Sequence, residues 1–168
     1  MKKVRTNSTK PFIIIDNHLL QLSAYFQDQT NLYLKLNTKD NPLSTIDIPS
    51  TSQFLLQNYP TVLQTQCFNP QNLPFSQEIH NTEIGHLFEH ILIQLLIDIH
   101  VQKSPNISLD INGVTSWNWT QEPRGIFHIN ISNLSTFNQT DVAYAISNAY
   151  KLTKKILSLD KTVATNIN

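Results

Sequence analysis

The stretch "EIGHLFEHILIQLL", residues 83–96, decides how this chain folds. Ile84, Leu87, Phe88, Ile91, Leu92, Leu95 and Leu96, continued by Ile99, run nearly all the way round a helix. A helix that is apolar on almost every side has to be buried, so the rest of the chain must supply its cover. Yet His86, Glu89 and His90 sit inside it within five residues. Lone polar groups are costly to bury, and three together ask for a shared explanation.

Working outward, this helix is expected over Thr82 to Val101. After it, "NISLDING" and "VTSWNWT" read as strand, with Asn112-Gly113 as a hairpin turn or bulge. A loop, "QEPR" at 121–124, leads to "GIFHINIS", which alternates Phe127, Ile129 and Ile131 against Ile126, His128, Asn130 and Ser132. A last amphipathic helix begins near Thr140, with Val142, Ala145, Ile146, Ala149, Leu152 and Ile156 on its apolar stripe. Lys151, Lys154 and Lys155 suit its carboxyl end.

Before the central helix, "PFIII" reads as a strand, residues 18–27 as a short helix, "NLYLKLN" as a half-buried strand and "STIDIP" as another strand. Thr51 or Ser52 is placed to cap a short helix ending at Asn58, before Pro60. Residues 60–77 carry Pro60, Pro70 and Pro74 and read as an irregular connection. Residues 160–168 read as a frayed tail. The expectation is one α+β domain over residues 1–168, a mostly antiparallel sheet with two principal helices packed on it.

Composition narrows the function. The 168 residues suffice for one substantial core. Twelve basic and twelve acidic residues cancel, and charged residues make up only 14% of the chain. No basic block marks a nucleic-acid partner. Cys67 is the single cysteine, which excludes an intrachain disulfide and a zinc site built from several thiolates. The apolar run Phe12 to Ile15 is too short for a signal peptide. No clean run of about 18 apolar residues offers a membrane span. A cytoplasmic protein with neither a nucleic-acid nor a membrane partner is expected.

Four residues apart on a helix, His86 and His90 stand about 40° apart and one turn along, so each can aim a ring nitrogen at one cation. Glu89 lies about 60° to the other side of His86, where it can take a proton from water held there. This is the H-x-x-E-H arrangement. Neutral imidazole is a good zinc ligand, and two of them leave charge on the metal to acidify water. The same histidines can equally be satisfied core residues.

A third ligand must come from another element. Gln94 continues the stripe, but it lies about 12 Å along the axis from His86, too far to share a metal with ~2 Å bonds. Gln94 is therefore assigned to orient His90. Glu122, in the "TQEPRG" loop, is the first candidate, with His128 and His80 as alternatives. Trp117 and Trp119 share one strand face and either pack on the sheet or wall a substrate groove. Arg124 either grips a substrate carboxylate or lies on the surface. Cys67 reads as a small buried hydrophobe.

Taken together, "YPTVLQTQC", "NTEIGHLFEHILIQLL" and "TQEPRGIFHINI" resemble the amino-terminal domain of cyanophycin synthetases. That domain has a proline-leucine-cysteine segment, a "GTxxGHxxEHxALELQ" helix and a "TRET…PG" turn before a hydrophobic strand. The matching positions are Pro60, Leu63, Cys67, Thr82, Gly85, His86, Glu89, His90, Leu95, Glu122 and Gly125, and the resemblance covers residues 55–157. In the family the domain precedes an ATP-grasp and a Mur-ligase-like module, for which 168 residues leave no room.

The resemblance implies a stand-alone relative that cuts peptide or isopeptide bonds, such as those of an Asp–Arg polymer. It implies zinc held by His86, His90 and Glu122, with Glu89 as general base. The alternative is a non-catalytic module that binds polymer or peptide. Two departures bear on the carry-over: Gln94 stands where the family has glutamate, and Thr65 or Gln66 where a histidine usually precedes the cysteine.

Overall fold

A computed structural model describes residues 10–69 and 73–160. Its frame is one antiparallel sheet in the order β1-β2-β3-β5-β4. The strands are β1 (Ile13–Asp16), β2 (Gln21–Phe26), β3 (Leu32–Asn37), β4 (Asn112–Ser116) and β5 (Ile126–Ser132). One face of the sheet is apolar. The register sets Leu22 against Leu36 and Ala24 against Leu34, then Leu34 against Ile129 and Leu36 against Phe127. All of these side chains are fully buried. The helices α3 (Ile84–Lys103) and α4 (Gln139–Ile156) pack together and complete the core. The molecule is thus α+β, as the patterning implies.

Residues 18–27 do not form a helix. They form β2, and local turn chemistry explains why. Asn17 Oδ1 accepts from the Leu19 and Leu20 amides, closing the turn after β1. Asp28 Oδ1 accepts from the Thr30 and Asn31 amides, closing the turn before β3. Side chains of this kind offer the backbone a turn in place of a helix. Between the turns, Leu22 and Ala24 alternate into the core.

The segment read as a strand at "STIDIP" is a 3-10 turn over Thr45–Asp47, capped by the Ser44 side chain. Its main-chain groups serve the central helix instead. The Thr45 amide donates to Thr82 O at 2.8 Å, and the Ile84 amide donates to Leu43 O at 2.9 Å. That latch makes α3 begin at Ile84 rather than Thr82 and fixes Thr82 ahead of it. "NISLDING" contributes strand only from Asn112; Ile107 is exposed. Asn112-Gly113 is not a turn but the first part of β4.

Helix α1 (Thr51–Asn58) follows Ser50, with no side-chain cap from Thr51 or Ser52. The proline-bearing connection holds a 3-10 turn at Pro60–Gln64 and a short helix α2 (Phe75–Glu78). Its residues 70–72 lie outside the described residues, as does the expected tail beyond Asp160. Asp160 itself accepts from Ser50 Oγ at 2.5 Å.

The start of α4 carries a capping box: Asn138 Oδ1 accepts from the Asp141 amide, and Asp141 Oδ2 from the Asn138 amide. Lys103, in the last turn of α3, reaches Asp141 and ties the two helices end to end. By length and composition α3 would also suffice to cross a membrane. Here the sheet and α4 bury Leu87, Phe88, Ile91, Leu92 and Leu96, as in the core helix of a globular domain.

Gly85 lets α3 press on β5, since a Cβ there would meet Phe127 Cγ at 2.5 Å. An alanine inside a helix ordinarily gains about 1 kcal/mol over glycine. At this contact Gly85→Ala should instead lose about 1–3 kcal/mol through overpacking. Urea unfolding checks the sign, and a stabilised variant would contradict the packing.

Candidate metal centre

The first turns of α3 form the floor of a groove of about 950 Å³. Residues 64–69 make one wall and residues 109–115 the other. His86 Nε2 and His90 Nε2 point to the same place and lie 3.1 Å apart. Cys67 Sγ stands 3.5 Å from His86 Nε2. Ligand atoms of Cys67, His86 and His90 all fall within 4.8 Å of one another.

Neighbouring side chains hold each ring. Thr65 Oγ1 donates to Val62 O at 2.7 Å, which uses its only hydrogen. It therefore accepts from His90 Nδ1, 2.6 Å away, and His90 Nε2 keeps its lone pair toward the groove. Phe75 stacks on the His90 ring at 3.7 Å with 13° between planes. Thr82 Oγ1 lies 2.9 Å from His86 Nδ1. Without a cation, His86 Nε2–H donates to His90 Nε2 while Thr82 donates to Nδ1. A cation held by Nε2 would require the proton on Nδ1, where Thr82 could accept it. A hydroxyl serves either tautomer.

Electrostatics favour neutral donors here. Burial lowers His86, and burial followed by its neighbour His86 holds His90 down at about 3. Burial thus favours the neutral imidazole, the form that ligates, at both rings. Burial pushes the Cys67 thiol up to about 11, and the thiol donates to Glu78 Oε2 at 3.2 Å. Thiolate ligation by Cys67 therefore requires a cation to displace that proton. The donor set, two imidazoles and one sulfur, is of a kind that would suit zinc.

Glu89 lines the same groove from beneath β4. Thr115 Oγ1 donates to Glu89 Oε2 at 2.5 Å, and burial raises the carboxyl to about 7. Gly113 is what makes room: a Cβ there would stand 2.5 Å from Glu89 Oε1.

Three expected site residues are elsewhere. Glu122 sits across the sheet from this groove. It accepts a short hydrogen bond from His128 Nε2, and Lys35 Nζ lies 3.4 Å from it. His128 alternates with Phe127 and Ile129, which face the helices, so His128 and Glu122 belong to the opposite face. There Tyr33 Oη lies 2.5 Å from His128 Nδ1. His80 is exposed and outside the cluster.

Gln94 lines the groove but donates to Asp98 Oδ1 at 2.8 Å; Thr65, not Gln94, orients His90. Of the two tryptophans, Trp117 lines the groove, whereas Trp119 packs on Phe127 and donates to Ile126 O. Arg124 is exposed, lies over the Trp119 ring and does not reach the groove.

Sequence reasoning passed over Cys67 as a third donor. Its one signal was that the chain's only cysteine sits in a segment upstream of the two histidines. Compared with protein-family models, curated proteins and solved structures, the chain matches none of them.

The Glu122–His128 contact has its own pH signature. The hydrogen bond to His128, then the charges of His128 and Lys35, lower Glu122 below its ordinary value of 4.5. A depressed carboxyl contributes stability that is present above 4.5 and lost as pH falls through the lowered value. Glu122→Gln should therefore be less stable than the parent at pH 7, and only slightly so, because the pair is half-buried and solvent still screens it. That difference should fade in denaturation curves taken at successively lower pH below 4.5. A difference unchanged down to pH 2 would assign it to packing instead.

Proposed function

We propose that the protein is a zinc-dependent hydrolase of peptide or isopeptide bonds, with zinc held by Cys67, His86 and His90. One observation carries this reading: two histidine nitrogens of α3 and the sulfur of Cys67 lie within 4.8 Å of one another, in a groove that the buried Glu89 carboxyl also lines. The H-x-x-E-H motif and the resemblance to the amino-terminal domain of cyanophycin synthetases support the same chemistry. Cys67 takes the place first given to Glu122.

A zinc bound there would polarise the scissile carbonyl and lower the pKa of its water. The protein's own residues supply the rest. Thr65 and Thr82 hold the two imidazoles in aim, and Phe75 fixes the plane of His90. Glu89 takes a proton from water as its oxygen bonds to the carbonyl carbon. It returns that proton to the departing nitrogen as the C–N bond breaks. Thr115 holds one Glu89 oxygen, and the other lies beneath Gly113.

Metal analysis after incubation with zinc and desalting should give one zinc per chain. Cys67→Ser and His90→Ala should each lose it. Glu89→Gln should keep zinc and lose hydrolysis of peptide polymers by at least about 100-fold. Protein that retains no zinc sinks the reading.

Thr65→Val should keep the fold and weaken zinc about 10- to 100-fold, since the His90 ring loses its anchor. Competition with a chromophoric chelator measures this. Unchanged affinity would remove Thr65 from the site.

A further inference from the structure

The second wall of the groove is a sheet edge. Among the described residues β4 ends the sheet and pairs only with β5, through five unbroken pairs from Asn112↔Ser132 to Ser116↔His128. Edge strands left open are usually blunted by lysine, proline or a bulge. "NGVTS" has none of these. At the other end of the sheet, β1 carries Asp16, which is paired with Lys39. Gly113 and Thr115 turn toward Glu89, and residues 111–115 all line the groove. The main-chain N–H and C=O groups of β4 that do not pair with β5 are left for another strand.

The groove also has a charge preference. Glu78, Glu83, Glu89 and Asp110 line it, and among the described residues no lysine or arginine does. We propose that an extended, positively charged peptide binds by adding as a sixth strand to the free edge of β4. It would lie about 4.8 Å from β4, over the α3 floor, between Glu89 and the Cys67–His86–His90 cluster. As the substrate mode of the proposed hydrolase this rests on that reading. As a binding mode it stands on β4 alone. Main-chain pairing supplies register, and the acidic lining selects basic side chains.

The probe is an octapeptide of alternating alanine and lysine, capped at both ends, added to Glu89→Gln protein with and without zinc. Amide exchange is followed by NMR. Alternate amides within Asn112–Ser116, those facing away from β5, should exchange at least about tenfold more slowly with peptide than without. N-methylation of alternate peptide residues should abolish this, and N-methylation of the residues between should not. A peptide of alternating alanine and glutamate should give no protection. The chelated wild-type protein provides the same measurement without a substitution.

Peptide-independent protection that rises with protein concentration, together with a doubled mass, would overturn the proposal in favour of a second copy on this edge. Zinc bound and peptide cleaved with β4 unprotected would also overturn it, while leaving the hydrolase intact. Protection of β4 in protein that takes up no zinc would uphold strand addition and reject the hydrolase.

Discussion

The close approach of α3 to the sheet governs the rest of the structure. Two positions permit it, both of them glycines. Gly85 lies against the Phe127 ring of β5, and Gly113 of β4 lies against the Glu89 carboxylate and Ile93. A side chain at either place would push helix and sheet apart. Interiors are packed too tightly to absorb such a shift without moving their neighbours. With the helix seated, Leu87, Phe88, Ile91 and Leu92 fill the core. The opposite stripe, His86, Glu89, His90 and Ile93, is left as the floor of the groove.

That seating forces the polar groups to find partners, because a buried donor or acceptor left unmade costs about 1–3 kcal/mol. Each partner is a threonine hydroxyl from a different element. Thr82, fixed by the Thr45 latch, serves His86; Thr65, after the 3-10 turn, serves His90; Thr115 on β4 serves Glu89. Hydroxyls both donate and accept, so they hold the rings in place whether or not a cation lies between them. Held in this way, both His Nε2 atoms and Cys67 Sγ face one another. The groove therefore combines a floor that carries two of the donors, a wall that carries the third and, among the described residues, an open strand edge opposite.

Much of the fold was legible in the sequence. The apolar circumference of α3, the stripe of α4 and the alternations in β3 and β5 read directly as structure. Hydrophobic period reports which face is covered, and these elements have long or strict periods. Where it failed, local or tertiary hydrogen bonds outweighed it. Asn17 and Asp28 turned residues 18–27 into a strand, and Thr45 spent its backbone on Thr82. Of the candidate site, His86, Glu89 and His90 were legible because helical spacing alone places them together. Cys67 was not, since it lies 19 positions before His86, across the proline-bearing connection. Glu122 was misplaced because a loop's position in sequence does not say on which face of the sheet it closes.

By itself, then, the sequence determined that a buried helix would carry two histidines and a glutamate on one stripe, within an α+β core. Backbone geometry inside one helix is fixed by spacing, so nothing further is needed to bring those three together. Only the tertiary structure decided the remainder: Cys67 rather than Glu122 beside the histidines, three threonines as partners of the two histidines and Glu89, and β4 as an edge that is open among the described residues. Those contacts join elements far apart in the chain. Their distances follow from how helix and sheet pack, and no local pattern in the chain encodes that.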